Sequence, residues 1–95
     1  MTQEIALASA RDVAAYLKKA HGATRVLLFG SATVASFLPQ HSDIDIYFEG
    51  LPYEKECLVA GETFLQFVDL DLDLMPDGHA PPYLKNEILK TGVAL

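Results

Sequence analysis

Apolar residues recur at helical spacing near the start of the chain, at Ile5, Ala8, Val13, Tyr16, Leu17 and Ala20. They predict a helix over about Thr2–His21, with Gly22 placed to stop it. The short apolar run Arg25–Phe29 reads as a buried strand, and Gly30-Ser31 turns the chain behind it. Ala32–Phe37 has room for one or two helical turns, and Pro39–Ser42 reads as a loop leading to a second strand, Ile44–Glu49. Gly50-Leu51-Pro52 breaks that strand, and Pro52 is placed to open a helix from Tyr53 to about Leu65. Phe67–Met75 reads as a third strand, ended by Pro76-Asp77-Gly78. Pro81-Pro82 opens a last helix to about Lys90, Gly92 stops it, and Val93–Leu95 can form a short edge strand. This order predicts an α+β fold, a small sheet with helices packed mainly on one face.

Composition narrows the class. The chain has 95 residues, of which 51% are hydrophobic, enough for one domain with a packed core. Residues 1–95 are therefore read as a single domain. Thirteen acidic residues against seven basic give a net charge of −6, which argues against a nucleic-acid-binding surface. Cys57 is the only cysteine, so no internal disulfide can form and a reducing cytoplasm is expected. Glu4 and the lack of a continuous apolar run at the start argue against a signal peptide, and no segment is long and apolar enough to suggest a membrane span.

The acids are not spread evenly. Asp43 and Asp45 flank Ile44 at alternate positions, so on a strand both project to one face, their Cα atoms roughly 6.5–7 Å apart. Aspartate is depleted in strands and like charges repel, so such a pair suggests a bound cation. Gly30-Ser31, just after the preceding strand, can offer backbone N–H groups to a phosphate. A third acidic stretch, Val68-Asp69-Leu70-Asp71-Leu72-Asp73-Leu74, alternates strictly. It is not a calcium loop, because Leu74 stands where glycine is required and Ala80 where glutamate is expected. One of its aspartates beside Asp43 and Asp45 would complete a two-metal site for phosphoryl displacement.

Leu28-Phe29-Gly30-Ser31, then Ser42-Asp43-Ile44-Asp45-Ile46, then Asp73-Leu74-Met75-Pro76 with the Ala80–Leu84 and Ile88–Val93 endings, resemble the minimal nucleotidyltransferases of the DNA polymerase beta-like superfamily. The resemblance spans most of the chain from Arg25 onward. It implies the nucleotidyltransferase fold with a small mixed sheet. It implies that Gly30 and Ser31 hold the nucleotide triphosphate and that Asp43 and Asp45 ligate two Mg²⁺ ions. Asp73 would be the third carboxylate, with Asp71 the alternative ligand and Asp69 third. Small proteins of this type resemble antitoxins that transfer a nucleotide, often AMP from ATP, to a hydroxyl of a HEPN-type toxin; the alternative is an inactive module that neutralises by binding alone. The chain departs from the family where Thr33-Val34-Ala35-Ser36 replaces a usual arginine-glycine pair, and where eleven residues rather than ten separate Ser31 from Asp43.

The remaining polar residues invite plainer readings. His41 is a loop residue beside Ser42-Asp43. His21 and His79 share no ligand spacing with each other or with Cys57, which argues against zinc. Cys57, among apolar helix neighbours, reads as a small core residue.

Overall fold

The computed structural model describes residues 3–30 and 44–95. Helix α1 spans Gln3–His21, strand β1 Arg25–Phe29, strand β2 Ile44–Glu49 and helix α2 Tyr53–Gln66. Strand β3 spans Leu72–Pro76, helix α3 Pro82–Thr91 and strand β4 Val93–Ala94. The four strands form one mixed sheet in the order β3-β2-β1-β4. β1 pairs antiparallel with β2 and β4, whereas β2 and β3 run parallel.

Gly22 ends α1 with a φ of 81°, a left-handed conformation that glycine adopts without cost. Its N–H donates to Lys18 O and that of Ala23 to Leu17 O, which satisfies carbonyls at the end of α1. The chain is thereby aimed straight into β1.

Alternation along the strands separates two faces. Val26, Leu28, Ile44, Ile46, Phe48 and Leu72 bury one face against Ala6, Ala10, Val13 and Leu17 of α1 and Val59 of α2. The opposite face buries Leu27 and Tyr47 against Ile88, with Phe29, Met75 and Leu84 at its margin. Two helices thus cover one face, and α3 covers part of the other.

The third strand is shorter than the alternation suggests. Phe67 N–H still bonds Thr63 O at the end of α2, and Leu70 N–H turns back to Phe67 O. Residues 67–70 are spent on leaving the helix, so the ladder with β2 starts only at Leu72. The 32–37 segment expected to be helical lies outside the described residues.

Candidate functional site

The register across the sheet builds the site. Phe29 pairs with Asp45, and Asp45 with Asp73, so these three side chains form one row on the face that α3 partly covers. Leu27, Tyr47 and Met75 form the next row. Adjacent strands lie about 4.8 Å apart, which sets two carboxylates side by side at the edge of an apolar floor. Asp45 is half-buried and Asp73 exposed.

Gly30 follows Phe29 with a φ of 78°. A Cβ there would collide with the carboxylate of Asp45, so the glycine backbone lies directly against that group. The turn behind β1, expected to approach a phosphate, therefore also borders the acidic pair. Oxygen donors of this kind suit a hard divalent cation, and charge neutralisation would relieve their repulsion.

The other site residues fall as follows. Asp71 precedes β3; its carbonyl accepts the Ile44 N–H at 2.8 Å and its side chain is exposed. Asp69 is exposed in the turn leaving α2. The register therefore sets Asp73, rather than Asp69 or Asp71, opposite Asp45. Ser31, Asp43 and His41 lie outside the described residues. Among the described residues no group of three His, Cys, Asp or Glu side chains is placed to hold a metal ion.

The next turn of the same face carries its own polar network. Tyr47 is fully buried and its hydroxyl donates to Glu49 Oε2, while Glu49 Oε1 lies 3.8 Å from an Arg25 nitrogen. Burial, reinforced by the carboxylate of Glu49, pushes the Tyr47 hydroxyl above its ordinary range.

No protein-family model matches the sequence, and no curated protein matches it significantly. Solved structures do. The toxin–antitoxin pair MntA–HpeT matches with a TM-score of 0.66 and 25% identity over 90% of this chain and 69% of the other. A complex of a tri-AMPylated Shewanella oneidensis HEPN toxin with an MNT antitoxin matches with a TM-score of 0.62. There the identity is 21%, over 98% of this chain and 71% of the other. The chain shares the fold of these MNT antitoxins. Among the described residues no helix is long and apolar enough to cross a membrane.

Two readings of the sequence need correction. Cys57 is exposed, not a core residue, because the buried stripe of α2 runs through Glu56, Val59 and Thr63 instead. His79, which shows no ligand spacing in the sequence, comes within 3.5 Å of its sulfur. The residues between them in the chain cross the molecule once as β3 and return the histidine to the start of α2, a juxtaposition that local spacing does not reveal.

Proposed function

We propose that this chain is a Mg²⁺-dependent nucleotidyltransferase that transfers a nucleotide, AMP from ATP in the first instance, to a hydroxyl of a partner protein. The partner is a HEPN-type toxin and the chain is its antitoxin. The observation that carries this reading is the pairing of Asp45 with Asp73 against the Gly30 backbone. It is supported by the MNT antitoxin fold and by the AMP carried by the toxin in one neighbouring complex.

Asp43, Asp45 and Asp73 would hold the metal, with Asp71 the alternative third ligand. When bound, magnesium supplies positive charge for the triphosphate oxygens and the departing pyrophosphate. Asp73, exposed beside Asp45, would take the proton of the acceptor hydroxyl. That hydroxyl then attacks the α-phosphate, and the bond to pyrophosphate breaks. Gly30 keeps side-chain bulk out of the space beside Asp45, and Ser31 would contribute its hydroxyl and N–H to the phosphates.

The test is transfer of labelled ATP to a HEPN-type partner in the presence of Mg²⁺, comparing wild type with Asp45→Asn/Asp73→Asn. Label on the partner with wild type alone is expected; the double variant remains folded because neither aspartate belongs to the apolar core. Removing groups that act as a unit should cost at least about a hundredfold in rate. The second reading, neutralisation by binding alone, is favoured by the uncharged Thr33–Ser36 segment where an arginine is usual. It predicts no label with any of the four nucleotides, and full neutralisation by the double variant.

A further inference from the structure

At the end of β3 away from Asp73, the short 3-10 turn Asp77–His79 packs on the start of α2. Glu56, only 2% exposed, points into this contact. Its Oε2 accepts the Gly78 N–H at 3.1 Å, and its Oε1 lies 2.7 Å from His79 Nδ1. A carboxylate only accepts, so Nδ1 carries the proton and Nε2 presents its lone pair. That Nε2 lies 3.5 Å from Cys57 Sγ. The Tyr53 ring stacks on the imidazole, centroids 4.4 Å apart and planes 7° from parallel, which fixes the ring orientation. A Cβ on Gly78 would come within 2.6 Å of Glu56 Oε1 and 2.8 Å of Tyr53 Cδ2, so only glycine permits this approach.

Cys57 is exposed and the His79 side chain is 32% exposed, so a small reactant can reach the sulfur while the carboxylate stays out of water. A nucleophile touching a base, with the base oriented by a third group, is the arrangement that activates a thiol. We propose that Cys57 is a nucleophilic thiol and a site of covalent modification by hydroperoxides, with His79 as its base and Glu56 as the positioning residue. The thiol proton passes to His79 Nε2. The thiolate then attacks one peroxide oxygen and forms an S–O bond as the O–O bond breaks. The departing oxygen takes the proton back from His79 and leaves as water or an alcohol. Sulfur is oxidised to sulfenic acid and the peroxide is reduced.

Several charged or titratable groups surround the imidazole. Helix α2 brings Tyr53, Glu56 and Cys57; the turn itself carries Asp77, with Lys85 of α3 3.8 Å from it. Strand β2, which also packs on the turn, carries Tyr47 and Glu49.

The experiment treats the full chain with hydrogen peroxide, traps sulfenic acid with dimedone, and locates the adduct by mass spectrometry. In parallel, the iodoacetamide alkylation rate is followed against pH for wild type, His79→Phe and Glu56→Gln, and for wild type unfolded in urea. A dimedone adduct on Cys57 is expected. Alkylation of folded wild type near neutral pH should be at least about fivefold faster than of His79→Phe or of the unfolded chain. Glu56→Gln removes the charge and leaves one accepting oxygen where there were two, and should move the pH profile to higher pH. Equal rates for folded and urea-unfolded wild type would overturn the proposal even if a variant failed to fold. So would the absence of a dimedone adduct, or a Glu56→Gln profile coincident with wild type.

Discussion

Two aspartates in register on adjacent strands repel each other, and strands disfavour aspartate, yet Asp45 and Asp73 occupy this arrangement. Gly30 tightens it, because any side chain there must displace the Asp45 carboxylate. Gly22 offers an internal comparison: its φ of 81° matches the 78° of Gly30, but nothing lies within 4 Å of where its Cβ would be. Gly22→Ala should therefore cost only the backbone strain, on the order of 1 kcal/mol. Gly30→Ala should cost more, about 2–3 kcal/mol, and abolish transfer by pushing Asp45 aside. For a domain of this size, each kcal/mol lowers Tm by about 4–8 °C, so thermal unfolding of the two variants resolves the difference. Equal Tm losses would show that Asp45 yields without cost. At this scale the Asp43-x-Asp45 pair and the glycine turn are legible in the sequence, since short motifs carry them. The partner of Asp45 is not, because Asp69, Asp71 and Asp73 satisfy the same alternation and only the sheet register separates them.

Strands β1 and β2 coincide with the apolar runs that suggest them, because both are central strands whose backbone is paired on each side. The start of β3 is hidden by a coincidence: residues 68–70 join the alternation that runs to Leu74 but belong to the exit from α2. Nor does periodicity tell which face a helix covers, and the packing of Ile88 from α3 on Leu27 and Tyr47 emerges only in three dimensions. That packing has a measurable consequence at high pH. Burial under α3 and the carboxylate of Glu49 hold Tyr47 in its neutral form. Its folded pKa is raised, so its contribution is complete below the ordinary tyrosine value near 10 and is lost as pH rises above it. In that window the unfolded chain has released a proton that the folded chain keeps. Each pH unit then removes up to about 1.4 kcal/mol of stability. Tyr47→Phe should lose about 0.5–1.5 kcal/mol at neutral pH with its hydrogen bond, yet decline less steeply above pH 10. Urea midpoints measured from pH 7 to 11 check both; parallel curves for the two proteins would contradict the prediction.

Over the whole molecule the sheet separates its tasks. One face is sealed by α1 and α2, while the other is closed by α3 over Leu27 and Tyr47 and carries the carboxylate row beyond them. The net charge of −6 belongs to this scale and decides what kind of acceptor the chain can approach. Nonspecific binding to a polynucleotide rests on lysine and arginine displacing its counterions. Only seven such residues are present, and three already have acceptors: Lys18 Nζ donates to Leu95 O at 2.6 Å, Arg25 faces Glu49 and Lys85 faces Asp77. Lowering the salt lengthens the range of the remaining charges, but it strengthens the acidic repulsion equally. A labelled single-stranded RNA should therefore show no rise in anisotropy up to tens of micromolar protein, at about 150 mM salt or at about 20 mM. Binding that weakens steeply with salt would reveal a basic surface that the summed charge conceals. It would also move the acceptor hydroxyl from a protein side chain to the end of a nucleic acid.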